Sequence, residues 1–424
     1  MSLHTPDSVT DALTLVDEVD AAFLGGLARP TDASATALTA LAAGFAGTPM
    51  HGTLTEATEA LAGGEVRDHH LLALAAARTS LLGACHDALV AHAAEVLGRP
   101  VSSGTTDHEA VPTELAHKLT GVRHWLTEVA TAGLGRLEEA VVLPASSLSD
   151  ALHDEPRLAG LAALLSGFTQ EVLEQCPTAL RGDLPVRRWV DLWSHALLAT
   201  QVLTPRAAGA SVSGTLTVLG GDLRHHDNLV SLEAWALLDG RFVRVTVSAW
   251  KVDAIWGAEA WKRLAAVAPE LVEALATPRE LQVEDMTLLP TGDLLWTGTA
   301  TPGDPVEPWA VDLSAPIPVQ PPRRRHPIHV AIPTTVSTAT DHGIGLDLSR
   351  TSPYADFDGC ASATDGIGLL RWDGAWTWQP LAMTGKRKRK TFLFGVSGPI
   401  VEAAKSKTDA LAVLSERASK LLRA

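Results

Sequence analysis

The apolar residues change their period near residue 207, and that change constrains the fold more than any other feature of the chain. Before it they recur three and four apart, the spacing of a helix face. After it they alternate, the spacing of a strand with one buried side. The two periods predict an α+β protein, with an all-helical N-terminal half and a β-rich C-terminal half.

The helical reading starts at residues 6–24. Val9, Leu13, Val16, Val19 and Phe23 make one stripe there, and Gly25 and Gly26 end it. Further helices are expected over 33–46, from Thr53 onward, and over 65–97, 112–140, 156–175 and 185–203. Short Gly/Pro connections between them suit a helical bundle or irregular array. No fixed repeat period is present, which argues against a solenoid.

The β-rich half begins with a strand over 212–219. Strands over 229–238 and 241–250 flank Asp239 and Gly240, a two-residue hairpin signal. A helix over 257–276 and strands over 280–289 and 293–300 follow. Three strands, a helix and two strands is the element order of a small OB-type barrel. Residues 301–322 hold seven prolines and read as an extended connector. Strands over 366–372, 375–383 and 387–396 form an antiparallel meander, and an amphipathic helix over 406–423 closes the chain. The domain boundaries expected are 1–206 (acidic, helical), 207–304 (β-rich with one helix), 305–335 (Pro/Arg-rich connector) and 336–424 (meander and helix).

Charge is unevenly placed. Of a net −15, residues 1–200 hold 11 basic against 25 acidic residues, whereas 321–424 hold 15 against 9. An acidic helical half repels nucleic acid; the basic tail could attract it. Cys85, Cys176 and Cys360 show no CxxC or Cys/His spacing, which argues against a disulfide framework or zinc ribbon and points to a reducing cytoplasm. The first twenty residues carry five acids and no Lys or Arg, unlike a signal peptide. No apolar run reaches membrane length, so no membrane association is expected.

The strongest chemical feature is Trp372-Asp-Gly-Ala-Trp376-Thr-Trp378 followed by Lys386, Arg387, Lys388, Arg389 and Lys390. Trp376 and Trp378 share a strand face. Aromatic faces beside a cationic ridge suit single-stranded nucleic acid, through base stacking and phosphate pairing. Equally, the indoles could fill the meander core while the cations protect an edge or dock on an acidic surface. Arg323, Arg324 and Arg325, flanked by Pro322 and Pro327, form a second cationic group able to grip phosphate or carboxylate, or simply a solvated linker.

Weaker groups are His225, His226 and Asp227, which have metal-ligand chemistry but no supporting second cluster. Asp341, His342, Asp347, Asp356 and Asp358 read as turn chemistry. His69, His70, Cys85, His86 and His92 are spread along one helix, and His69 and His86 are about 25 Å apart at 1.5 Å per residue. Phosphate-loop, dinucleotide, nucleophile-elbow and zinc-protease motifs are absent. No catalytic residue, metal or cofactor is therefore assigned.

The segment 184–198 (Leu-Pro-Val-Arg-Arg-Trp-Val-Asp-Leu-Trp-Ser-His-Ala-Leu-Leu) and the earlier 157–165 (Arg-Leu-Ala-Gly-Leu-Ala-Ala-Leu-Leu) carry a resemblance. They resemble stretches in uncharacterised actinobacterial proteins encoded beside a SWIM zinc-finger protein, a MoxR-type AAA+ ATPase and a von Willebrand A protein. The resemblance covers a small part of the chain. It implies an accessory subunit of an ATPase-centred system and transfers no catalytic residues. The expected function is a non-enzymatic adaptor or scaffold with a protein partner. Alternatives are a single-stranded nucleic-acid-binding module and an enzyme with an unrecognised loop site.

Overall fold

The computed structural model describes residues 3–102, 109–203, 209–226, 228–251, 257–317, 328–336, 345–349, 351, 354–360, 363–387 and 390–405. It is an α+β structure. The helical half comprises α1 (Asp7–Gly25), α2 (Asp32–Gly44), α3 (His51–Ala62), α4 (Asp68–Leu97), α5 (Ala116–Ala132), α6 (Glu139–Val142), α7 (Pro144–His153), α8 (Ala159–Leu173) and α9 (Val186–Leu198). A two-residue pair, β1 (Glu109–Ala110) with β2 (Val202–Leu203), ties the segment between α4 and α5 to the chain just past α9.

Its core collects around Phe23, Phe168, Trp189 and Trp193, all with almost no exposed surface. The Trp193 indole donates to the Leu126 carbonyl at 2.9 Å, and the Trp125 indole to that of Val141. Inside this apolar core Arg78 lies between two carboxylates. Its Nε and Nη2 hold Asp20 at 2.5 and 2.6 Å, and its Nη1 holds Asp191 at 2.5 Å. The fork geometry of guanidinium satisfies both buried acids at once.

The next strands are β3 (Ala210–His225), β4 (Leu229–Leu238) and β5 (Arg241–Trp250). Helices α10 (Ala258–Val267) and α11 (Pro269–Ala276) lead to β6 (Arg279–Leu288), β7 (Asp293–Leu295) and β8 (Thr299–Pro305). Pairings run β3–β4–β5–β7–β6 and back to β3, with β5 and β7 parallel. Five strands thus close a barrel with the layout of the OB type, and β8 extends it beside β6. The single helix expected over 257–276 breaks at Ala268, because Pro269 cannot donate to the preceding turn and instead starts α11.

A second sheet holds β9 (Val330–Val336), β10 (Gly345–Leu346), β11 (Ala363–Trp372), β12 (Trp376–Arg387) and β13 (Lys390–Gly395). Its order is β10-β12-β11-β9, with β13 also on β12. It is followed by α12 (Ser397–Lys405), which adds Ile400 and Ala403 to the barrel's core. Strand β9 begins inside the stretch 305–335 read from sequence as a connector and ends one residue beyond it; Pro333 and the nearby Pro/Arg run hide it. It sits at the sheet's rim, where proline is tolerated. Helix α7 was likewise unexpected: Ser146, Ser147 and Ser149 make it look like a loop, yet Ala145 and Leu152 bury one face. The helix expected over 406–423 lies outside the described residues.

The second sheet is the middle layer. One face carries Leu370, Trp372, Trp376 and Trp378 against Val9 and Val16 of α1 and Leu82, Leu89 and Val90 of α4. The other carries Ile367, Leu369 and Leu381 against Leu219, Trp235, Leu237 and Phe242 of the barrel. A Cβ at Gly220 would lie 2.7 Å from the Leu381 Cβ, so glycine lets barrel and sheet touch. Arg99, just past α4, clasps all three layers. It donates to the carbonyls of Ala315 and Pro333 and stacks over the Phe242 ring at 5.0 Å. Among the described residues no helix is long and apolar enough to cross a membrane.

Candidate functional site

Where the three layers meet they leave an open cleft of about 930 Å³. Helix α1 supplies Thr10, Leu13, Thr14 and Asp17, and α9 supplies Arg187. The far end of β3 supplies Asp222, Leu223, Arg224 and His225, with His226 beyond it. The middle sheet supplies Arg371 and Trp372 from β11 and Gln379 from β12, with His329 just before β9.

Strand alternation explains the convergence. On β3, Asp222 and Arg224 are two apart and so point to one face; they stand opposite Glu233 and Ser231 of β4. On β11 and β12, Arg371 and Gln379 lie diagonally across the ladder, since Arg371 pairs with Thr377 and Leu369 with Gln379. Both point toward the barrel. The β3 segment carrying Asp222 runs past the closed part of the barrel, and so it meets the middle sheet at this edge.

The polar groups form one chain of contacts. Arg371 is 3% exposed and Gln379 1%. The Arg371 Nε donates to the Gln379 side-chain oxygen, and its Nη1 contacts His329 Nε2 at 3.0 Å. Guanidinium only donates, so that ring nitrogen is the unprotonated one. The Gln379 amide donates in turn to Asp222. Arg224 Nε approaches Asp222 Oδ2 at 3.4 Å without hydrogen-bond geometry, and that Nε has no hydrogen-bond partner among the described residues.

Burial pushes the Asp222 carboxyl up to about 6. The Arg224 charge opposes the rise, Glu233 adds to it, and Arg371 and the Gln379 amide oppose it. On the opposite wall Arg187 is paired with Asp17 at 2.5 Å. His225 stacks on Tyr354 at 5.7 Å between centroids. The lining therefore carries three guanidiniums and three imidazoles against the carboxylates of Asp17, Asp222 and Asp373. Such a wall, its three guanidiniums balanced by three carboxylates, can hold a polar ligand by several directed hydrogen bonds.

Apart from His225, His226 and Trp372, which line the cleft, the residues singled out from sequence lie elsewhere. Trp376 and Trp378 share a face as expected, but it is the buried face. Trp376 is 8% and Trp378 1% exposed, and their indoles donate to the carbonyls of His4 and Thr334. Bases could stack on them only if the middle sheet left the helical half. Lys386 and Arg387 end β12 and Lys390 begins β13, with Arg387 opposite Lys390 at the ladder's end. Lys388 and Arg389 lie outside the described residues, as do Arg323, Arg324, Arg325, Asp227, Asp341 and His342. His225 and His226 do reach the cleft.

The remaining groups are structural in their surroundings. Asp347 and Asp356 accept from the backbone nitrogens of Ser349 and Asp358, which is turn chemistry. His70 bonds the Glu65 carbonyl, and Cys85 is buried with its thiol pushed up by desolvation. Among the described residues no group of three or more His, Cys, Asp or Glu is placed to hold a metal ion. Sequence reasoning missed Arg371, Gln379 and His329, and met Arg224 only as the neighbour of His225 and His226. Their only signal was a charged or amide side chain on an apolar strand, since β11 otherwise reads Ile-Gly-Leu-Leu around Arg371. No known protein family, characterised protein or solved structure matches the chain.

Proposed function

We propose that the protein is a non-enzymatic binding scaffold whose polar ligand occupies the three-layer cleft and so touches both halves at once. One observation carries this reading: Arg371 is buried and aimed at the cleft edge, fixed by Gln379 and His329. Burying a guanidinium is unfavourable unless it is paired, and a fixed donor fork is suited to recognition. Sites at domain junctions are also the usual seats of small ligands. An adaptor with such a seat would connect occupancy to the relative placing of its halves, which suits an accessory subunit.

The test is a thermal-shift and native mass-spectrometry screen of polar small molecules on the full chain. Thr14→Trp, which fills the cleft from the exposed side of α1, is run in parallel. Ligands that stabilise the parent protein and are lost on Thr14→Trp support the cleft. Ligands that bind both proteins equally place the site elsewhere and sink the reading.

A further inference from the structure

We propose that the cleft is an oxyanion site in which a phosphate or carboxylate of the ligand takes over Arg224 from Asp222, its internal counter-ion. The inference rests on the cleft being a ligand seat and adds the ligand's class and the way the seat admits it.

The two arginines are held differently. Arg371 is locked: its Nε is bonded to Gln379 and its Nη1 to His329. Arg224 is not. Its only ion pair among the described residues is the 3.4 Å approach to Asp222, made by an Nε that completes no hydrogen bond. A buried guanidinium N–H left in that state is worth more with an acceptor than without one. Asp222 does not rely on Arg224 alone, because the Arg371 charge and the Gln379 amide also favour its ionised form. An incoming oxyanion can therefore bond Arg224 while Asp222 keeps a donor.

The surroundings favour oxygen anions over other ligands. Thr10 and Thr14 line the cleft from α1; the Thr14 hydroxyl donates to the Thr10 carbonyl at 3.0 Å, and the Thr10 hydroxyl is placed to supplement the guanidiniums around a phosphate or carboxylate. The cleft volume suits a metabolite carrying more than one charged group. Asp222 then acts as a resident competitor. It keeps the empty site electrically balanced and sets how strongly a ligand must bind to enter.

The probes are sodium pyrophosphate and citrate, titrated into the full chain by calorimetry at constant ionic strength. The expected result is saturable binding of at least one. Arg224→Gln should weaken it about tenfold or more, the loss of one charge-assisted pair. Asp222→Asn should tighten it about tenfold, because the competitor loses its charge. That gain cannot come from misfolding. Preference for pyrophosphate assigns a phosphate ligand, and preference for citrate a polycarboxylate; either supports the site. Weaker or unchanged binding in Asp222→Asn overturns the proposal. So does neutral-ligand binding that is blocked by Thr14→Trp and indifferent to Arg224→Gln, although the cleft would remain a ligand seat. Absence of any ligand sensitive to Thr14→Trp would overturn both.

Discussion

The Trp376 indole donates a 3.0 Å hydrogen bond to the carbonyl of His4, 372 residues earlier in the chain. Beside it the Trp372 indole donates to Thr5 Oγ1 at 2.8 Å. The N-terminal segment is thereby fastened to the β11–β12 hairpin, and both indoles sit in the core shared by the halves. Trp376→Phe keeps most of the buried area but loses the bond, and should lower stability by about 1 kcal/mol. Trp376→Ala opens a cavity and should lower it by about 3–5 kcal/mol. Urea melts followed separately by helix and sheet signals check this. If Trp376→Ala leaves both transitions unmoved, the halves do not share that core.

Arg78 is the only cation joining Asp20 and Asp191 in the helical core among the described residues. Arg78→Leu would take the guanidinium away from two buried carboxylates. It should cost about 3–5 kcal/mol in chemical denaturation, the usual effect of breaking a buried pair. The triple variant with Asp20→Leu and Asp191→Leu should regain most of that loss, because no uncompensated charge remains.

Asp222 gives the cleft a pH dependence with a definite sign. The groups around it are Arg224 on its own strand, Glu233 on β4, Arg371 on β11 and Gln379 on β12. Its folded value, about 6, lies above the ordinary 3.8, so the fold holds this proton more tightly than the unfolded chain. The resulting stabilisation is full below about pH 3.8 and is lost as pH rises through about 6; at 1.36 kcal/mol per unit it amounts to roughly 3 kcal/mol at most. Asp20, also pushed up to about 6 by burial, contributes in the same direction. Melting temperature between pH 5 and 7 should therefore fall less steeply in Asp222→Asn than in the parent. An identical slope would mean that Asp222 titrates normally.

Gly220→Ala should force the barrel and middle sheet apart at Leu381. A Cβ there meets the Leu381 side chain at 2.7 Å and its carbonyl oxygen at 3.2 Å, so backbone must move. Overpacking of this kind costs about 1–3 kcal/mol. The same substitution at Gly240, where nothing lies within 4 Å, tests the turn's positive φ alone.

Much of the secondary structure was legible because it is written in local patterns. The Asp239 and Gly240 turn fixed β4 and β5 to the residue, and alternation marked their buried faces. Trp376 and Trp378 show where local pattern stops. Alternation places them on one face, but nothing near them in sequence says that α1 and α4 cover it. The cleft was illegible for the same reason. Arg224 and Arg371 are 147 residues apart in sequence, and Asp222, Gln379 and His329 come from different strands or their edges. Only strand pairing and layer packing bring them to one place. The most conspicuous cations, Lys386, Arg387 and Lys390, stand at the end of a ladder instead.

The middle sheet also sets an order of events during synthesis. Helices α1 and α4 leave the ribosome with Val9, Val16, Leu82 and Leu89 ready to be covered, yet the tryptophans that cover them follow roughly 280 residues after α4 ends. At 5–20 residues per second that interval is roughly 15–60 s. For that time the nascent helical half carries a naked apolar stripe beside an acidic exterior. A holdase acting on the nascent chain would find its natural grip there, and slow translation of the barrel would lengthen its hold.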